Sequence, residues 1–436
     1  MNIVKPKIEN MKNLVFTLFL LAFAISIPAQ KLMDIYKKGT VRLVPDATYA
    51  KDNNWSKVFK SYYDTIYNAP MSNRKSLILL PDGSVVVNNQ YRNFFTKFSP
   101  NGTFENEFGV KNSKGVPFKK INNIGGVINN NTFFTGLDNM GNMICFDFSG
   151  NYKKTLKLDY MTKQIIPLTI NKLAVVGWVI WKTKFREFVS IVDYETNQEK
   201  VIWEDYTDRC EELDHCKLFN YSYKFKTHGE FSFSTMPYSK AVGMSLPPKI
   251  ECIGNNLVIA IPPTGEIFVY DLNGNLKSKD KITWATNYIS VNEQKEIQQK
   301  AIDKYKRNGL PLYAKWTTAE ENKLAMETII KQMEGDMDKI SDPIPIPTFS
   351  TILKDSDGNL LFFEFPKEEN ANKFNVWIFE NKGKFICQSS FVCDDYNLEI
   401  NPYKMVFYKG YIYGLQLLKN APGVPLRLVR FKITNN

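Results

Sequence analysis

Histidine is nearly missing from this chain, with two in 436 residues. That excludes chemistry built on several imidazoles, such as a three-histidine zinc site. Cysteine is sparse, at six, and beyond the first 29 residues no apolar stretch reaches the length of a membrane span. Charge of one sign is never concentrated. The 56 Lys+Arg stand against 45 Asp+Glu, scattered rather than gathered on the stripe or helix that a nucleic-acid reader needs. A His-Glu-x-x-His motif, a P-loop and a glycine-rich dinucleotide turn are also missing. Gly243-Met244-Ser245-Leu246-Pro247 lacks the second glycine of a nucleophile elbow. No cofactor and no nucleic-acid partner are expected.

What is present starts with an export signal. Lys12 precedes an apolar run from Leu14 to Ile25, and Ile27-Pro28-Ala29 then leads to Gln30. A basic flank, about a dozen apolar residues and a small residue at the cut suit signal peptidase, and the run is short for a span. Met11 is an alternative start. The expectation is a signal peptide at 1–29 and an exported chain at 30–436, periplasmic or extracellular, with formal net charge lowered from +11 to +9.

Cysteines in an exported chain suggest disulfides. Cys210 with Cys216, and Cys387 with Cys393, share one spacing and could each close a small loop. An extended strand would hold such a pair too far apart to bond. Cys145 and Cys252 sit in strand-like surroundings that suit buried free thiols. His215 beside Cys216 has no second ligand pair at zinc-site spacing, so no metal site is expected.

An internal repeat organises the rest. Strand ends recur as Phe98-Ser99-Pro100-Asn101-Gly102, Phe146-Asp147-Phe148-Ser149-Gly150, Val192-Asp193-Tyr194-Glu195-Thr196, Tyr270-Asp271-Leu272-Asn273-Gly274 and Phe379-Glu380-Asn381-Lys382-Gly383. Gly, Asn and Asp tolerate the positive φ of hairpin turns. An earlier turn precedes each one, at a distance of 19 residues (from Gly83, Asn131 and Asn255) or 25 (from Asn171 and Gly358). Each unit reads as four antiparallel strands, the blade of a β-propeller. Six units follow, at about 73–109, 121–159, 163–204, 248–282, 346–392 and 402–436. The last lacks its fourth strand, and Gly39-Thr40-Val41-Arg42-Leu43 at the other end of the chain matches a strand start. An N-terminal strand would complete that unit against the segment Leu428 to Phe431 and hide sheet edges.

These turns, the shared terminal unit and the signal peptide resemble the secreted bacterial six-bladed β-propeller families related to NHL-repeat and TolB-like propellers. The resemblance implies an all-β, six-bladed propeller and no particular activity. Related lactonase-type enzymes hold a divalent metal in the central channel. Here the innermost strands are mostly apolar, with Glu251 the one carboxylate well inside them.

The longer connections all fall on one end of such a ring. They are the extra residues near Trp181 to Glu187, Pro366 to Lys373 and Lys419 to Pro425, the segment 205–247 and an insertion at 285–345 between units four and five. The insertion reads as two helices, capped by Ser290 with Glu293 and by Thr318 with Glu321. Its apolar stripes are Ile297, Ala301, Tyr305 and Met326, Ile330, Met333, Met337. Loops on a rigid scaffold carry binding, so the candidates are Tyr91, Arg92, Asp138, Asn139, Trp178, Trp181, Lys182, Arg186, His228, Glu230 and Lys367. Aromatics beside Asn, Asp and Arg suit a sugar or peptide through stacking and directional hydrogen bonds. The leading expectation is an exported binder of a small molecule, glycan or protein, with no catalysis of its own. A lyase or hydrolase working in the central funnel, and a structural module of an envelope complex, are the alternatives. Asp355-Ser356-Asp357-Gly358-Asn359 fails as a calcium loop, because Leu353 stands at its first ligand position, and reads as a turn.

Overall fold

The computed structural model describes residues 32–59, 63–64, 69–70, 76–89, 94–109, 127–129, 131–136, 142–181, 184–208, 219–225, 229–235, 247–282, 288–309, 318–365, 372–380 and 383–435. The expected signal peptide at 1–29 lies outside them.

Alternating apolar runs between tight turns fold into four-stranded antiparallel meanders. Sheet 1 runs through Leu77–Leu79, Val85–Asn89, Phe94–Phe98 and Phe104–Gly109. Sheet 2 runs through Val127–Asn129, Thr132–Gly136, Asn142–Asp147 and Tyr152–Lys157. Sheet 3 is Met161–Pro167, Lys172–Trp181, Lys184–Asp193 and Glu199–Asp208. Sheet 4 is Lys249–Ile253, Asn256–Ile261, Glu266–Asp271 and Leu276–Lys281. Sheet 5 has nine strands: a meander from Thr351–Lys354 to Phe385–Val392 joins, through Val41–Pro45, the strands Leu426–Thr434 and Tyr411–Leu418.

The turns repeat one piece of chemistry. Asp147 Oδ1 accepts the backbone N–H groups of Ser149 and Asn151 at 2.9 Å each, and Asn151 Nδ2 donates to Asp147 Oδ2 at 2.8 Å. Asp271 with Asn273 and Asn275, and Asp355 with Asp357 and Asn359, repeat the pattern. Asp355 to Asn359 is thus the first turn of sheet 5, as the sequence reads. Gly150 sits at φ +89°, and a Cβ there would lie 2.3 Å from the Phe108 ring, so both conformation and space demand glycine.

Each sheet packs face to face on the next. Ile78, Val86 and Phe95 meet Phe133 and Phe146; Met143 and Leu156 meet Ile165 and Val175. Val176 and Val189 meet Ile250 and Ile259; Val258 and Ala260 meet Ile352 and Phe362. Within sheet 5, Val376 and Ile378 meet Ile412 and Phe431. Leu415 and Leu428 then pack on Leu77 and Val87 of sheet 1. The packing returns to its start, and the molecule is an all-β propeller. Its N-terminal strand does pair antiparallel with the last strand, but further along than the expected Leu428 to Phe431: Leu43 stands opposite Ile433 and Pro45 opposite Phe431, so Phe431 alone of that segment is met. It also runs parallel to the preceding meander, Val41 beside Phe391, a second pairing that sequence matching did not anticipate.

Two long connections depart from expectation. Trp181 to Glu187 is not a loop: the two strands of sheet 3 run on, ten residues each, until Trp181 pairs with Lys184. The segment 205–247 contains a hairpin, Phe219–Phe225 with Gly229–Thr235, whose Tyr221, Tyr223 and Phe225 alternate along one face. The insertion is helical as expected. After the short α1 (Leu32–Tyr36) and α2 (Trp55–Val58), α3 spans Val291–Asn308 and α4 Ala319–Asp336. Ser290 and Glu293 form a full capping box, and Thr318 caps the Glu321 N–H at 3.1 Å. Of the expected stripes Ile330 and Met333 are buried and Ala301, Tyr305, Met326 and Met337 partly so; Ile302 and Ile329, which were not among them, are the other helix residues buried against Tyr221 of the hairpin. Among the described residues no helix is long and apolar enough to cross a membrane.

Candidate functional site

A charged residue in the inward row of a packed sheet is the least expected feature of this architecture, because burial penalises charge. Sheets 3 and 4 have several, at their inner seam. A bulge between Thr162 and Gln164 makes Lys163 the extra residue of the first strand of sheet 3. Bulges re-aim side chains in this way. The Lys163 ammonium lies 4.5 Å from the Trp178 ring centroid. Trp178 pairs in register with Glu187, which is 8% exposed. Lys249 opens the first strand of sheet 4.

Backbone clamps fix this geometry. Gln164 Nε2 donates to the Ile250 carbonyl at 2.8 Å, and the Ile250 N–H donates to Gln164 Oε1 at 3.1 Å. Lys163 and Lys249 therefore stand one residue to either side of a two-bonded bridge. The Tyr403 hydroxyl donates to the Lys163 carbonyl. Tyr403 precedes Met405–Tyr408 of sheet 5, whose neighbours are sheets 4 and 1, so this bond reaches sheet 3 across the middle of the ring.

Electrostatics follow from the burial. Desolvation pushes the Lys249 ammonium down to about 8; Glu187 opposes the shift and Lys163 adds to it. Lys163 is lowered by desolvation as well, with Glu187 opposing. Both amines are thus held down by desolvation with Glu187 opposing, a balance of charge suited to an anionic ligand. Lys404, buried where Lys163 and Lys249 are half-buried, is accounted for by Glu399 at 3.1 Å, beside Gln416, which bonds three backbone groups.

Of the residues predicted for binding, Tyr91, Arg92, Asp138, Asn139, Lys182, His228 and Lys367 lie outside the described residues, as do Cys210, Cys216 and His215. Trp181 ends its strand, paired with Lys184. Arg186 pairs with Val179, next to Glu187 in sequence and therefore on the opposite sheet face from the lysine seam. Its Nε and Nη2 donate to Glu204 Oε2 at 2.9 and 2.8 Å, with the guanidinium 4.6 Å from the Phe188 ring. Arg186 lines a separate groove of about 480 Å³ with Tyr160, Glu199 and Tyr206. Glu230 is exposed on the hairpin. Trp178 alone of the candidates joins the seam. Cys387 and Cys393, offered as a disulfide pair, are free thiols: the strand Phe385–Val392 carries the first and ends just before the second, and extended backbone separates them. Cys145 and Cys252 are free too, with burial pushing Cys145 up to about 12. Glu251 pairs with Lys354 at 3.3 Å.

Lys163, Glu187, Lys249 and Tyr403 were missed in the sequence. The signal was there in part: Glu187 alternates with the buried Val189 and Ile191 along one row. What sequence could not give is that residues so far apart share one seam.

Comparison with known proteins adds the following. No protein-family model matches the chain, and no curated protein matches its sequence. Among solved structures it is similar to BamB from Moraxella catarrhalis, at 10% identity and TM-score 0.33, covering 82% of this chain and 93% of that one. It is similar to a member of the DUF4221 family from Bacteroides vulgatus, at 10% identity and TM-score 0.43, covering 91% and 99%. Virginiamycin B lyase from Staphylococcus aureus aligns at 9% identity and TM-score 0.38, covering 91% and 99%.

Proposed function

We propose that this protein is an exported six-bladed propeller, sheet 5 being two blades fused through the N-terminal strand, and that it binds a small carboxylate-bearing ligand at the seam of sheets 3 and 4. An acidic sugar or an acidic peptide end is the class that fits. The observation that carries the reading is the Lys163 ammonium over the Trp178 ring, with Glu187 opposite Trp178 in register and Gln164 clamped to Ile250, the residue after Lys249. Two lysines against one carboxylate leave the balance of charge at these strand starts positive, and partial desolvation strengthens attraction for an anion. The strand ends here face the elaborated side of the ring, where the sequence placed function.

The alternative of a lyase or hydrolase needs two converging carboxylates, or one with His228; the described seam supplies one carboxylate, and His228 lies outside the described residues. The envelope-module alternative called for an exposed apolar face on residues 318–340; Ile330 and Met333 are buried against the hairpin, while Leu324 is 51% exposed. Calorimetric titration of oligogalacturonate and of acidic peptides tests the proposal. Binding is expected to weaken at least ten-fold in the Lys163→Gln, Lys249→Gln double variant. Unchanged affinity there, with loss on replacing Tyr91, Arg92, Trp181 and Arg186 together, would move the site to the outer rim.

A further inference from the structure

We infer that the groove on sheet 3 around Arg186 is a second binding site, for a short uncharged oligosaccharide. It lies on the opposite sheet face from Glu187 and does not depend on the anion site proposed above.

The groove opens where the packing of sheet 3 on sheet 2 stops. Tyr160 and Phe188 belong to the core that the two sheets share. Val201 and Tyr206, on the outermost strand, are 39% and 51% exposed. All four line the same cavity of about 480 Å³, within the range of small-ligand sites, about 300–1,000 Å³. Its floor is fixed. The Tyr160 and Phe188 rings meet edge to face at 4.6 Å. A Cβ on Gly177 would lie 2.5 Å from the Phe188 ring and 2.7 Å from the Tyr160 ring, so glycine is what makes room for both. Rings held against each other in this way keep the groove open and pre-formed.

The polar groups of the groove are each held by one contact and open at another. Arg186 Nε and Nη2 donate to Glu204, and the guanidinium lies 4.6 Å from the Phe188 ring centroid. The Tyr160 hydroxyl donates to Glu199 Oε1 at 2.7 Å. Among the described residues Arg186 Nη1, Glu199 Oε2 and the Asp159 carboxylate, all on the cavity wall, make no hydrogen bond. The strand from Arg186 to Val192, the register partner of Glu199, runs about 20 Å. One end of the groove therefore offers a donor and the other offers acceptors. An anion suits the first end and is repelled at the second, and a cation the reverse. A hydroxyl is donor and acceptor at once, so it serves both ends without a net charge. Bonds from hydroxyls to charged groups are also the stronger kind. A sugar adds apolar ring faces for Tyr206 at the rim, and a chain of sugars spans the length.

The test is calorimetric titration of the purified protein with three uncharged trimers: cellotriose, maltotriose and the N-acetylglucosamine trimer. Trigalacturonate and the glucosamine trimer are the charged counterparts. At least one uncharged trimer is expected to bind, and its monosaccharide at least ten-fold more weakly, since it reaches one end only. Tyr206→Ala and Asp159→Ala should each weaken the trimer about five-fold or more, with the circular dichroism spectrum unchanged because both side chains are exposed. Glu199→Gln, whose amide oxygen still accepts from Tyr160, should do the same through its other atom. Trigalacturonate is expected neither to compete with the uncharged trimer nor to respond to these three variants, because its place is the lysine seam. Tighter binding of the glucosamine trimer, or competition by trigalacturonate, would make this a site for a charged ligand and overturns the inference. So does an uncharged trimer whose affinity all three variants leave unchanged, and so does a dissociation constant above about 10 mM for every uncharged trimer.

Discussion

Asp46 shows how one side chain can secure a chain terminus. It follows the N-terminal strand, and its Oδ2 accepts from Arg430 Nε at 3.1 Å and Nη2 at 2.7 Å. Burial alone would raise its pKa; the Thr48 hydroxyl and the Arg430 guanidinium hold it down to about 2. The Arg430 guanidinium in turn lies 4.8 Å from the rings of Tyr49 and Tyr411. Removing the carboxylate's charge leaves that cation without its partner in a mostly desolvated place. Asp46→Asn is expected to cost about 2–3 kcal/mol at pH 7, read from urea unfolding. Because the folded pKa lies below the unfolded one, the contribution is complete above pH ~4 and is lost as pH falls through ~2. The gap between the two proteins should therefore be flat from pH 5 to 8 and close on acidification below pH ~4; a gap that persists at pH 2 would assign the effect to packing. At this scale the sequence was legible where chemistry is local. Asp271 and Asn275 make their turn within five residues, so the motif announces itself. The Asp46 pair joins residues 384 positions apart and the lysine seam spans 86, from Lys163 to Lys249, and no pattern along the chain records them.

At the scale of the element, periodicity was a good guide to existence and a poor one to environment. The capping residues Ser290 and Thr318 place both helix starts as expected, because caps act within one turn. The apolar stripe was equally visible, yet its partner was not: Tyr221 and Tyr223 belong to a hairpin that arrives from the preceding connection. Period two in that segment is short and interrupted by polar residues, so it read as loop. Gln298 Nε2 donates to the Tyr221 hydroxyl at 2.8 Å, and Gln332 bonds both backbone groups of Ser222 at 3.2 Å. Hairpin and helices should consequently be one cooperative unit. Met333 is fully buried at their contact, and Met333→Ala is expected to cost about 2–4 kcal/mol. Hydrogen exchange would localise it: amides of Phe219–Phe225 and of α4 should lose protection together while those of sheet 1 keep theirs. Loss confined to the helix would show that the hairpin stands on its own.

For the molecule as a whole, the decisive feature is that the chain's start is inserted between two stretches near its end. Val41 and Leu43 are 0% and 2% exposed and sit in the same core cluster as Phe391 and Phe431. Each buried aliphatic side chain contributes about 1.5–3 kcal/mol. Their strand also pairs with Phe385–Val392 on one side and Leu426–Thr434 on the other. Take that strand away and two sheet edges open at once, with Leu32, Ile35 and Tyr36 of α1 removed from the same core. Unpaired edges bearing apolar residues recruit other chains. A protein lacking residues before Asp46 is therefore expected to self-associate in light scattering and to lose a single cooperative urea transition. A peptide covering residues 32–46, supplied in trans at high concentration, should restore the monomer and the transition, because every other contact of the ring is still encoded. A truncated chain that remains monomeric with an unshifted midpoint would mean that face-to-face packing of the sheets suffices without the clasp. The double pairing of Val41–Pro45 would then be a consequence of closure instead of its cause.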